Sequence, residues 1–157
     1  MNQKKDSPGV YLPPPLIYVI IFLASIFIQK KFQIDNSLFR TQLIKIPGGI
    51  LLFCALFFLS TSLAKFFKTK NTLIPFKPAS SLQTKGVYSI SRNPMYLGLA
   101  LVYLGITCFI GNWWNIILFP FLILTVQELI IRKEEHYLER AFKDEFLEYK
   151  KRVRRWI

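Results

Sequence analysis

Apolar residues run along this chain in blocks rather than in alternation with polar ones. Four blocks stand out: Leu16 to Ile28, Ile46 to Phe67, Met95 to Gly111 and Trp113 to Ile131. A bilayer-crossing helix needs about 17–25 largely apolar residues, so the pattern predicts an all-α, polytopic membrane bundle of about four transmembrane helices. The first block is short and follows Pro13 to Pro15, a stretch that stops a helix upstream but suits a first turn. In the second, Pro47 falls near the first turn. Gly48, Gly49 and the Ser60-Thr61-Ser62 run are small enough for close helix packing in lipid. Only "GNWW" joins the third block to the fourth, which predicts a tight antiparallel hairpin with Trp113 and Trp114 at the membrane interface. Pro120 is expected to kink the fourth helix. Past Ile131 the pattern changes. Leu138, Phe142, Phe146, Tyr149 and Val153 recur at helical spacing among charges of both signs, predicting a C-terminal cytoplasmic or interfacial amphipathic helix.

Charge then orients the bundle. The net charge is +12, and the first 127 residues carry twelve Lys/Arg against Asp6 and Asp35. These bases stand beside apolar blocks, where they meet anionic headgroups; that placement argues against a nucleic-acid groove. The stretch from Lys65 to Arg92 has six bases and no acid, which places it, and with it both termini, on the cytoplasmic side. Four bases between Lys30 and Lys45 break the rule. Either a short interfacial helix over "NSLFRTQLIK" accounts for them or the first block does not span. The N-terminus lacks a small-residue cleavage site and reads as a retained helix rather than a signal peptide. Cys54 and Cys108 lie inside apolar blocks as small hydrophobes, and a single histidine makes a metal cluster implausible.

Two stretches hold candidate chemistry. In "SRNPMYLG", Asn93 is expected to cap the third helix and Pro94 to occupy its first turn. Arg92, the Asn93 amide and free backbone N–H groups would then meet at one helix mouth, a place suited to a carboxylate. A capped helix with an arginine reaching to headgroups explains the same residues. The second stretch holds Glu128, Glu134 and Glu135 at the end of the fourth block. Glu128, Arg132, Glu135 and Glu139 share a face and suit i,i+4 pairing, while Glu134 points elsewhere. No glycine-rich phosphate loop and no Ser-His-Asp set is present.

"GVYSISRNPMYLG", followed after one hairpin by "EEHYLERAFKDEFLEYKKRV", resembles the isoprenylcysteine carboxyl methyltransferase family and the related phospholipid N-methyltransferases. The family pattern is G-x-Y, R-H/N-P-x-Y-x-G, a glutamate pair, F-G-x-x-Y-x-x-Y and V-x-R. Here it becomes Gly86 and Tyr88, Arg92 to Gly98, Glu134 with Glu135, then Phe142, Phe146, Tyr149, Val153 and Arg155. The resemblance implies a membrane methyltransferase using S-adenosyl-L-methionine on a lipid or lipophilic acceptor. Residues 1–79 would form a two-span membrane region and residues 80–157 the cofactor-binding core. By the same resemblance Tyr88, Asn93, Pro94, Met95, Tyr96 and Glu134 would line the cofactor pocket, with Leu82 and Gln83 in the approach loop. An amine acceptor must lose a proton before attack, which makes Glu135 or Glu128 the expected base. Ile130 stands where the prenylcysteine branch has its substrate-binding arginine, leaving Arg132 as the nearest base. Asn93 replaces a histidine, and Lys143 the glycine after Phe142. A non-catalytic packing or assembly subunit that kept the fold is the alternative. A sterol-type membrane reductase is disfavoured by the short chain.

Overall fold

The computed structural model describes residues 9–10, 12–68 and 81–157; Lys4, Lys5 and residues 69–80 of the basic 65–92 stretch lie outside them. Every regular element among the described residues is helical, and none of them forms a strand. Helix α1 is Pro14–Lys31, α2 Gln42–Lys68, α3 Pro94–Ile110, α4 Trp113–Val126 and α5 Arg132–Arg152. A π-helical turn, Gln127–Ile131, joins α4 to α5 without a break. Helices α1 and α2 and the continuous α4 segment are long and apolar enough to cross a membrane; α3, at 17 residues, is slightly shorter. The molecule is thus an integral membrane helical bundle. Its outer faces are coated with side chains suited to lipid: Phe27, Leu43, Phe53 and Phe121 are all more than half exposed.

Close approach of α2 and α3 depends on glycine. A Cβ on Gly48 would lie 2.7 Å from the Cβ of Cys108, and one on Gly105 would meet Leu52 at 2.7 Å and the Gly48 carbonyl at 3.2 Å. Gly98 likewise receives Leu59. Gly49 faces open space, so one of the two expected packing glycines makes the contact. Small residues let backbones come close enough for dispersion to hold helices together where lipid removes the hydrophobic drive. The helix also begins earlier than the apolar block suggests, at Gln42, which puts Pro47 inside it rather than in its first turn. Between α1 and α2 a single 3₁₀ turn, Ser37–Arg40, takes the place of the expected interfacial helix.

The α3–α4 hairpin closes on Gly111, whose φ of 73° is left-handed and whose missing Cβ leaves room for Phe39. Both neighbouring tryptophans do more than sit at an interface. Trp113 Nε1 donates to the Asp35 carbonyl at 3.0 Å and Trp114 Nε1 to Phe32 at 2.8 Å, tying the hairpin to the α1–α2 loop. Below them, Ser25, Asn112 and Asn115 form a buried hydrogen-bonded set that also receives the Tyr103 hydroxyl. The apolar core then runs through Ile17, Ile21, Ala100, Leu122, Val126 and Ile131, with Trp156 of the C-terminal tail packed against it.

The C-terminal helix is bent. Lys143 has φ 43° and ψ −118°, a conformation a side chain rarely adopts. The consequence is visible in two contacts. Lys150 Nζ lies 3.7 Å from Glu139, and Arg155 Nη2 lies 2.6 Å from Glu135. On a straight helix at 1.5 Å per residue, residues 11 positions apart would be separated by about 16 Å. Lys143 therefore folds the chain back on itself at the position where the family pattern has glycine. Lys143→Gly is expected to stabilise the protein by about 1 kcal/mol, because glycine adopts this conformation without a Cβ clash. Thermal unfolding in detergent checks this; a lower midpoint would show that the Lys143 side chain earns its place by some other contact.

Candidate functional site

The mouth of α3 is built from three segments. Gly86, with φ 72°, starts a 3₁₀ turn over Gly86–Ser89 that buries Tyr88. Tyr149 Oη donates to the Tyr88 carbonyl at 2.5 Å, and Lys65 of α2 stands over the Tyr88 ring at 5.2 Å. The tail comes back alongside: Arg92 N donates to Arg154 O at 3.0 Å, and Ser91 Oγ and Asn93 Nδ2 both donate to Arg155 O, at 3.1 and 3.0 Å. Asn93 therefore sits at the N-cap position but makes no side-chain cap. Its amide is spent on the tail instead, and its own N–H is met by Ser91 Oγ at 3.1 Å. A cap would use Oδ1 as acceptor; the Nδ2 bond to the Arg155 carbonyl, 62 residues away, instead orients the amide toward the tail.

Inside this frame Tyr96 Oη donates to Glu134 Oε1 at 2.6 Å, and Tyr18 Oη of α1 donates to the Tyr96 carbonyl at 3.0 Å. One hydrogen-bonded line thus joins α1, α3 and α5. Tyr88 lies close enough to interact electrostatically with both Tyr96 and Glu134. Pro94 is buried and Met95 partly so, while Leu82 and Gln83 are partly buried in the approach, with Gln83 Nε2 donating to Ser81 Oγ. Of the residues the sequence singles out, Tyr88, Tyr96 and Glu134 lie near one another; Tyr18 had no sequence signal, being one tyrosine in an apolar block.

Glu134 lies past the apolar run. Burial pushes its carboxyl up to about 7; the Tyr96 hydrogen bond opposes the shift and the neighbouring Glu135 charge adds to it. A folded-state value above the unfolded one favours the protonated form. Its contribution to stability is complete below about pH 4.5 and is lost as pH rises through 7. Wild type is expected to lose on the order of 2 kcal/mol between pH 5 and 8 from this group, a loss that Glu134→Gln abolishes while keeping an acceptor for Tyr96. Parallel melting-temperature profiles for the two proteins would contradict the assignment.

Glu135 faces a different direction and is buried between two guanidinium groups. Arg155 grips it with Nε at 3.1 Å and Nη2 at 2.6 Å, and Arg92 Nη2 lies 3.2 Å from Oε1. The Arg92 side chain is 9% exposed, and its Nε and Nη1 are buried with no partner. Two nitrogens of a buried cation thus stand unmet next to the helix mouth, where an anion would be well received. Glu128 and Arg132 form an exposed i,i+4 pair at 2.6 Å, the arrangement their spacing suggests. His136 is exposed, and no group of metal-ligating residues occurs among the described residues.

Residues 44–145 match the phospholipid methyltransferase family, a region that includes nearly all of α2, the whole of α3 and α4, and α5 up to residue 145. The chain is 26% identical over 145 residues, 91% of its length, to a protein-S-isoprenylcysteine O-methyltransferase of Saccharomyces cerevisiae. It is 33% identical over 72 residues, 46% of its length, to one of Schizosaccharomyces pombe. These matches span 61% and 30% of the two yeast proteins. An uncharacterized protein of Haemophilus influenzae is 44% identical over 66 residues, its whole length and 40% of this chain. No solved structure matches. With the RNPMYLG mouth, the glutamate pair and the returning tail all folded into one end of a membrane bundle, and the family match running through most of it, the chain belongs to the phospholipid methyltransferase family.

Proposed function

We propose that the protein is an S-adenosyl-L-methionine-dependent methyltransferase acting on a lipid or lipophilic acceptor, with its donor site at the α3 mouth on the cytoplasmic side. The observation that carries this reading is the Tyr96–Glu134 pair at the first turn of α3, with Arg92, two residues before Pro94, holding two nitrogens without a partner. An amino-acid carboxylate fits Arg92 and the N-terminal turn of α3. A carboxylate such as Glu134 suits an ammonium or a ribose hydroxyl, and the faces of Tyr88 and Tyr96 suit an adenine or a cationic sulfur. Pro94 and Met95 close the floor, and Leu82 and Gln83 the approach.

The donor supplies an activated methyl group on a sulfonium; the chain's residues hold and orient it. Methyl transfer is an in-line displacement, so alignment and exclusion of water supply most of what a protein can add. A carboxylate acceptor attacks as it stands, whereas an amine must first shed a proton. In this reading Glu135, with both oxygens gripped by arginine, is a positioning residue that holds the tail against the mouth. Glu128, engaged by Arg132 at the exposed edge, faces solvent. That leaves Glu134, near neutrality in its proton affinity, as the group best placed to take a proton from an amine. The lipophilic acceptor enters laterally between helices.

The test is transfer of radiolabelled methyl from the donor to lipids extracted from the native membrane. Label in the organic phase that depends on Glu134 and Tyr96 supports the reading. No transfer to carboxylate or amine lipids by folded protein that still binds donor would favour a packing or assembly subunit.

A further inference from the structure

The bend at Lys143 creates a second feature, separate from the donor mouth. Between the two arms of α5 and the tail lies an open groove of about 510 Å³. Arg132, Lys133, Arg140, Lys150 and Arg155 line it, against the carboxylates of Glu135 and Glu139 alone. Neither Tyr96 nor Glu134 reaches it. Of the two acids, Glu135 is already satisfied by Arg92 and Arg155, and Glu139 has Lys150 at 3.7 Å. Arg132 is also paired with Glu128, which lies outside the lining; five bases against two lining acids still make the inside of the bend net positive. A solvated charged face would spread such residues around the helix; here residues from three turns of one arm, one position of the other and the tail converge.

Depth fixes what kind of anion belongs there. Arg132 and Lys133 are the first residues after the apolar run that ends at Ile131, so the groove opens at the level of the headgroups. Leu129, one turn before Lys133 on the same side, is 44% exposed, and Ile157, two residues past Arg155, is 72% exposed. Apolar side chains beside a cationic groove at the membrane boundary are complementary to an amphiphile with an anionic head. We propose that this groove binds the headgroup of an anionic phospholipid, its phosphate seated among Arg132, Lys133, Arg140 and Lys150 and its chains passing beside Leu129. The lipid is a bound ligand, and the assignment stands or falls apart from methyl transfer.

Native mass spectrometry of the full chain in mild detergent tests it, with phosphatidylglycerol and phosphatidylcholine of identical acyl chains as competing probes. One phosphatidylglycerol per chain should be retained, favoured at least about five-fold. Lys133→Gln/Lys150→Gln should bring the ratio to near equality. Lys151→Gln/Arg152→Gln removes the same charge outside the groove and should keep the preference. Melting temperatures of both variants report that they are folded; if the double variant fails this check, Lys133→Gln alone should lower the preference at least about two-fold. Three results overturn the proposal: no preference in wild type, equal losses in groove and control variants, or displacement by glycerol phosphate at equal concentration, which would mark a site for soluble phosphates.

Discussion

Glu135→Ala is expected to cost about 3–5 kcal/mol of stability, the largest effect of any single substitution at the α3-mouth end of the bundle. Its carboxylate meets both Arg92 and Arg155. Arg92 is nearly inaccessible and already has two nitrogens without a partner, so removing Glu135 leaves the whole guanidinium buried and uncompensated. The tail then loses its side-chain anchor as well, and the backbone bonds from Arg92, Ser91 and Asn93 to Arg154 and Arg155 must hold it alone. Arg155→Ala should cost less, since its side chain is 26% exposed and Arg92 still has its partner. Thermal unfolding with tryptophan emission as readout follows both events, because Trp156 leaves the core when the tail detaches. A Glu135→Ala midpoint within about 2 °C of wild type would mean that the buried pair contributes little.

The second large effect belongs to the α2–α3 seam. Gly48→Ala places a methyl 2.7 Å from the Cβ of Cys108, an atom that no rotamer change can move aside. The helices must separate, at an expected cost of about 1–3 kcal/mol. Gly49→Ala, one residue along and open to lipid, should be neutral or stabilise by up to about 1 kcal/mol through helix propensity. Measured side by side, the two alanines separate packing from propensity. Equal effects would show that the seam is not as close as the structure has it.

The four helices were legible because lipid demands long unbroken apolar runs, and such runs leave few alternatives. Helix ends were read less well. The start of α2 at Gln42 lies in a polar stretch that the apolar pattern cannot register, and with it the interior placement of Pro47. The ordered motif singles out Tyr88, Tyr96 and Glu134, and these three lie near one another in the fold. The role of Glu135 was not legible, since its partners Arg92 and Arg155 meet only after the chain folds back at Lys143. A signal for that bend did exist: a lysine standing where the family pattern carries glycine marks a backbone that needs glycine-like freedom. Tyr18 had no such mark, because a hydroxyl inside an apolar block can bond to any neighbouring backbone in lipid.

Calorimetric titration of the purified protein with S-adenosylhomocysteine, in detergent and in nanodiscs, tests the proposed donor site most directly. The proposed donor site predicts saturable binding by wild type, loss of at least about ten-fold in affinity for Glu134→Ala and Tyr96→Phe, and no change for Gly49→Ala. Absence of binding by well-folded wild type in both environments would contradict the methyltransferase reading.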